Sequence, residues 1–382
     1  MKSKNLSNKI LGSVQSNGFK YIELPSVIET SHIVQRSGES FRKFIFSFTD
    51  QTGNELCLRP DLTIASCLRY LKNNLKGKEK IFYSGQAYRK SQNKKDSIIR
   101  NQVGFEIIGS KDEKNDDKEI INTSLKSLKK LKYSTGTLTI GNVEIFNLLI
   151  SKLDIPKRWK LRLTRHFWRE DYFSDLLKRL ETNSDVDPTI VEVDKRRYLK
   201  MLKDDQSSIV AGRTLKEILE RFDKKIKDPR RASKGSNTSK IIKDFLKIKC
   251  PINKAAKELN KFFKKNKINL FVDQKYFPIS KNKISKLNVV FSTAFGRQLE
   301  YYTGIVFKID IKSKSKIINC CNGGRYDKLI SDLGSKKQIP AVDRLGRRAS
   351  QPDPDQRRCR GHSRRARQPA VIRQKRGDGQ SG

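Results

Sequence analysis

Strand-like runs crowd the two ends of this chain while helical periodicity fills its middle, and that order constrains the fold more than any single motif. "FIFSFTD" (44–50) and "NELCLRP" (54–60) flank Gln51-Thr52-Gly53, which reads as a hairpin closed on a turn-compatible glycine. "KIFYSGQAYRK" (80–90) and "NQVGFEIIGS" (101–110) are two further strands. A helix is expected over 63–75, where Ile64, Leu68 and Leu71 share a face, and another over 117–132. The strand "GTLTIGN" (136–142) then precedes a mostly helical stretch from 143 to about 265, interrupted by the linker-like "DPRRASKGSNTSK" at 228–240. Strands are expected again at 268–273, 287–294, 301–311 and 316–321. Hairpins dominate and regular βαβ alternation is missing. The pattern therefore predicts an α+β fold on an antiparallel sheet, not a doubly wound parallel one.

A chain of 382 residues allows one large or two moderate domains, and 35% apolar residues suffice for a core at that length. The formal net charge of +42 would ordinarily suggest nucleic acid. Here the lysines are scattered through helices without aromatic interleaving, as a generic solvated surface has them. The six cysteines form no C-x-x-C pair and only three histidines exist, so no structural zinc site has a ligand set. This is the cysteine usage of a reduced, cytoplasmic protein. The lysine-bearing N-terminus has no apolar run long enough for a signal peptide or membrane span.

P-loop, G-x-G-x-x-G, nucleophile-elbow and H-E-x-x-H patterns are all missing from the sequence. What remains is a set of polar residues within strands or at their ends. "GRQLEYYTGIVF" (296–307) packs Arg297, Glu300, Tyr301 and Tyr302 into a run that otherwise reads as a strand. It is either an edge strand with a solvated face or the wall of a pocket for a small polar ligand. Arg59 and Asp61 close one strand and open a helix, and Asp61 alone reads as an N-cap. Arg89 closes another strand. Gln102, Gly104 and Glu106 fall on one face of a third, where the glycine leaves room for a ligand. A solvent-facing strand would look the same.

Four blocks in order, "LCLRPDLTIASCLRYL", "YSGQAYRKSQ…RNQVGFEIIG", "GRQLEYYTGIVF" and "GGRYDKLISDLG", resemble the catalytic core of histidyl-tRNA synthetase and of its paralogue, the regulatory subunit of ATP phosphoribosyltransferase. The resemblance covers roughly residues 1–342 and implies a class II aminoacyl-tRNA synthetase-like antiparallel sheet flanked by helices. Residues 1–142 and 266–342 would form the two parts of the core, with a helical insert at 143–265. It leans to the regulatory subunit, because Arg59-Pro60-Asp61-Leu62-Thr63 stands where synthetases usually read R-P-E-G-T. "IGNVEIFNLLISKLDIPKRWKLRLTRHFW" (140–168) also looks like that group's insert. A third synthetase motif should follow "IPAV" and does not, and no anticodon-binding domain follows.

By this resemblance, Glu106 and Tyr302 contact the imidazole of a bound histidine, while Asp61, Thr63 and Gln102 surround its α-amino group. Arg297 matches an arginine near the reacting carboxylate, placed on the turn made by Gly296. Arg89 matches a nucleotide-side arginine, and Gly323 and Gly324 would let the backbone approach the ligand. The implied role is a non-catalytic partner of a short-form ATP phosphoribosyltransferase catalytic subunit, with possible L-histidine feedback, no cofactor and no metal. Pro25 falls at the class II dimer-interface proline, which implies a self-dimer through that region. The rival is an active histidine–tRNA ligase, and a tRNA-binding module would rest on charge alone.

The last expectation concerns the end of the chain. Residues 1–343 hold 19 arginines and 52 lysines, whereas residues 344–382 hold 11 arginines and one lysine. Both residue types serve as solvated cations, so surface selection does not account for the switch. The segment 343–382 is therefore expected to be disordered or the product of a frameshift, with little regular structure after Val342. A slot should be left in the core where a strand and a helix are missing. A genuine basic tail for nucleic acid is the alternative.

Overall fold

The computed structural model describes residues 11–37, 39–90, 97–129, 135–182, 195–196, 199–200, 203, 209–210, 213–226, 232–296, 301–313 and 316–347. Its strands are β1 (Lys20–Tyr21), β2 (Val27–Glu29), β3 (Ser47–Thr49), β4 (Glu55–Leu58), β5 (Glu79–Tyr88), β6 (Ile99–Ile108), β7 (Thr135–Asn142), β8 (Ile209–Val210), β9 (Arg213–Thr214), β10 (Lys249–Pro251), β11 (Lys283–Ile284), β12 (Leu287–Ser292), β13 (Ile305–Ser313), β14 (Lys316–Arg325) and β15 (Ala341–Arg347). The helices that matter below are α1 (Thr63–Lys72), α2 (Glu113–Leu128), α3 (Val143–Lys152), α4 (Ala232–Leu246) and α5 (Leu329–Asp332).

The central sheet runs β1-β5-β6-β15-β14-β13-β7-β12-β10, with β11 added on β12. Only β1 with β5 and β12 with β7 pair in parallel; every other pair in it is antiparallel. A separate sheet, β2-β4-β3, contains the predicted hairpin. At its turn, Asp50 accepts from the amides of Thr52 (2.8 Å) and Asn54 (2.9 Å), so the side chain holds the reversal that Gly53 (φ +86°) allows.

Strand alternation divides the core in two. Phe82, Phe105, Ile107, Leu138, Ile140, Phe307, Ile309 and Val342 face one side, where Trp159, Phe173 and the rest of the helical region pack. Ile81, Tyr83, Ile108, Val306 and Ala341 face the other, against Ile64 and Cys67 of α1 and Ile33, Leu329 and Ile330. Helix starts follow local chemistry: Asp61 accepts from the Ile64 amide (3.0 Å) before α1, and Asn142 from the Glu144 amide (2.9 Å) at α3.

Four expectations need correction. Residues 268–273 form no strand, and Asn260 brackets Val272 instead, accepting from its amide (2.9 Å) and donating to its carbonyl (2.8 Å). The linker-like stretch is largely helix α4, because Ile242 and Phe245 at its far end are fully buried and secure it. Residues 301–304 precede β13 and do not belong to it. Regular structure also continues past Val342: β15 runs to Arg347 and fills the place between β6 and β14 expected to stand empty. Residues 348–382 lie outside the described residues, so the expectation for them stands as it was.

Candidate functional site

The site lies on the α1 face of the sheet, where β6 and β15 run side by side. Glu106 sits directly opposite Asp343, and Asp343 in turn opposite Gly324 of β14. Both carboxylates are completely buried. Glu106 accepts from Tyr83 Oη (2.5 Å), from Tyr326 Oη (3.0 Å) and from the Ser66 hydroxyl. Asp343 accepts from Tyr302 Oη (2.9 Å), Thr63 Oγ1 (3.1 Å) and the Gly324 amide (3.0 Å).

Burial pushes Glu106 up from the usual carboxylate range to about 8, and the neighbouring Asp343 adds to this while the hydroxyl donors oppose it. Asp343 is likewise raised by burial, to about 7. The four tyrosine hydroxyls at 83, 301, 302 and 326 are all raised well above their ordinary range, by burial first. They therefore act as neutral donors at physiological pH.

Of the residues singled out in the sequence, Asp61, Thr63, Gln102, Glu106 and Tyr302 are all buried; Thr63 and Tyr302 meet Asp343 opposite Glu106, and Gln102 lies four residues along β6 from Glu106. Asp61 is indeed a helix cap through Oδ1. Its Oδ2 lies 3.8 Å from Arg89 Nη2, and Arg89 Nε donates to the Pro60 carbonyl (2.8 Å). Gln102 is 5% exposed, and its Oε1 has no hydrogen-bond partner among the described residues. Arg297 and Glu300 lie outside the described residues; the turn before them is made by Gly296 at φ +118°.

Three glycines have protein atoms where a ligand was expected. The space over Gly104 belongs to Tyr83, whose ring would stand 2.4 Å from an added Cβ, and so Tyr83 can reach Glu106. A Cβ on Gly324 would lie 2.8 Å from the Tyr302 ring, and one on Gly323 2.3 Å from the Asp343 carbonyl oxygen. Both admit protein neighbours.

Four participants were missed from sequence. Ser66 lies one helical turn beyond Thr63, and Tyr83 pairs with Gly104, so helix and strand periodicity could have found both. Tyr326 follows the double glycine. Asp343 was set aside with the tail. Arg59 is structural: it donates to the carbonyls of Gln86 (2.8 Å), Leu24 (2.5 Å) and Pro25 (2.9 Å).

The family described as Histidyl-tRNA synthetase matches residues 1–342. The chain belongs to that family. Among curated relatives of this family member, the ATP phosphoribosyltransferase regulatory subunit of Allorhizobium ampelinum is 26% identical over 355 residues, covering 88% of this chain and 94% of the relative. That of Brucella ovis is 27% identical over 338 residues, covering 84% and 89%. Among solved structures, the histidyl-tRNA synthetase of Nostoc sp. PCC 7120 aligns with a TM-score of 0.58 at 16% identity, over 90% of this chain and 69% of that one. An ATP phosphoribosyltransferase regulatory subunit/histidyl-tRNA synthetase from Bacillus halodurans gives 0.54 at 21%, over 91% and 77%. The fold is thus that of the class II synthetases, α+β with a largely antiparallel sheet.

Proposed function

We propose that this chain is the non-catalytic regulatory subunit that works with a short-form ATP phosphoribosyltransferase catalytic subunit at the first step of histidine biosynthesis. In that step ATP and phosphoribosyl pyrophosphate give phosphoribosyl-ATP on the catalytic partner. The observation that carries the reading is the similarity to curated regulatory subunits across 94% of the length of one of them. A regulatory subunit contributes assembly and, where the pocket takes L-histidine, feedback; that coupling is reciprocal between the two sites.

The cluster at Asp61, Thr63, Gln102, Glu106 and Tyr302 supports a pocket for an imidazole and an ammonium, since it offers carboxylates, neutral hydroxyls and an unpartnered amide oxygen. A self-dimer through the segment around Pro25 is favoured by exposed Tyr21, Val27 and Phe48, three large apolar residues in β1, β2 and β3. We place the protein in the cytoplasm; no helix among the described residues is long and apolar enough to cross a membrane. Residues 1–142 and 266–342 form the two parts of the core in this reading, and 143–265 the insert.

The test is reconstitution. The purified chain alone should form neither phosphoribosyl-ATP nor histidyl-tRNA. Adding the short catalytic subunit should yield phosphoribosyl-ATP and a co-purifying complex. Robust histidyl-tRNA formation by the chain alone would overturn the proposal in favour of a histidine–tRNA ligase.

A further inference from the structure

The pocket is not open. Three of its donors are taken by a side chain of the protein itself, from the strand that sequence reasoning excluded from the fold. Asp343 uses three donors at once: Tyr302 Oη, Thr63 Oγ1 and the Gly324 amide. Two of these three belong to the set proposed above to hold histidine. The third is a backbone amide at the floor of the same sheet, and the Tyr302 ring lies against Gly324. While Asp343 holds these three donors, a competing ligand must displace its carboxylate to reach them.

We infer that Asp343 is an internal ligand: its carboxylate occupies the histidine pocket and keeps free histidine out. The inference rests on the reading of this cluster as a histidine pocket and adds what decides its occupancy. The geometry is specific to position 343. The side chain at 341 reaches the same face but is alanine, and those at 342 and 344 point to the opposite core. On β15 the register places Asp343, and no neighbour, between Glu106 and Gly324. Gln102, four residues along β6 from Glu106 and on the same face, has an Oε1 without a hydrogen-bond partner among the described residues. Asp343 thus engages the donors beside Glu106, while Gln102 Oε1 on the same strand face has no partner among the described residues.

Asp343→Ala removes the carboxylate and returns Thr63, Tyr302 and the Gly324 amide to an incoming ligand. Asp343→Asn keeps the bulk and can still accept from Gly324 and Tyr302. The experiment is calorimetric titration of L-histidine into the full chain and into both variants, each first shown to melt cooperatively. The Ala variant should bind histidine at least about tenfold more tightly than the parent, and the Asn variant should stay close to the parent. Adding Glu106→Gln to the Ala variant should abolish the gain, which ties it to this pocket. If Asp343→Ala does not fold, Asp343→Ser carries the same expectation. Equal, measurable affinity in parent and Ala variant would overturn the internal ligand while leaving the pocket standing. No heat of binding in either overturns both, and the reconstitution assay still judges the regulatory role separately.

Discussion

Raising the pH from 5 to 9 should weaken this fold, and Glu106 is the main reason. In the unfolded chain its carboxyl ionises near 4.5; in the folded protein burial and the facing Asp343 hold it protonated until about 8. Between those values the folded state binds more protons than the unfolded one, so stability must fall as pH rises. The contribution is complete below 4.5 and gone above about 8. The gap between 4.5 and about 8, at about 1.4 kcal/mol per pH unit, is worth about 5 kcal/mol. Asp343 moves in the same direction. The two face each other, share part of one repulsion and titrate as a pair, so their effects do not add. Urea unfolding at pH 5, 6.5, 8 and 9 measures the slope. Glu106→Gln keeps the shape and removes the proton, so its curve should be flatter by several kcal/mol over that range. The comparison also cancels the self-repulsion of a chain with net charge +42, which grows toward low pH and acts on both proteins alike. Parallel pH profiles for the two proteins would refute the reasoning.

Two other perturbations test the architecture around the pocket. Arg325 donates to Asp117 through Nε (3.0 Å) and Nη2 (2.7 Å), yet burial still lifts Asp117 to about 7. Arg325→Leu strands that carboxylate and should cost about 3–5 kcal/mol at pH 8, with a smaller loss at pH 6 where Asp117 takes up a proton; equal losses by urea unfolding would count against it. Gly104→Ala drives a methyl into the Tyr83 ring and should cost about 1–3 kcal/mol in thermal or urea unfolding, whereas the same change at Gly53 of the exposed turn meets no atom within 4 Å and pays only for its backbone angle.

The outline of the fold was legible because hairpins and helices announce themselves through local periodicity. The partners across the sheet did not, since register depends on contacts between distant segments: nothing in "NQVGFEIIGS" says that Glu106 will meet residue 343. The role of Gly104 was misread for a related reason. A glycine shows that something comes close, and only the pairing with β5 shows that it is Tyr83. The sequence reads Asp61 as an N-cap or as a neighbour of a ligand's α-amino group; its Oδ1 takes the helix amide, and its Oδ2 lies 3.8 Å from Arg89 Nη2.

Composition and structure disagree most at β15, and one substitution can weigh them. The switch from lysine to arginine falls after residue 343, which is inside the strand, between two pairing neighbours. A strand so enclosed is ordinarily apolar on both faces. This one buries a carboxylate on one side and Arg344 on the other, only 2% exposed within the larger apolar core. The guanidinium lies over the Phe105 ring at 5.6 Å, and Nη1 donates to the Val103 carbonyl (3.2 Å), while Nε has no hydrogen-bond partner among the described residues. One hydrogen bond to a carbonyl, one ring contact and the neighbouring Cys321 thiol do not offset the removal of a full charge from water. Replacing Arg344 by Leu or Met should therefore stabilise the protein, by about 1–4 kcal/mol, the range seen when buried ions give way to apolar side chains of similar volume. The measurement is the urea midpoint at pH 7, with Lys312→Leu at an exposed position of β13 as the control. A midpoint for Arg344→Leu at or below that of the parent would mean that Arg344 is adequately solvated by the protein and that β15 is suited to its place as it stands.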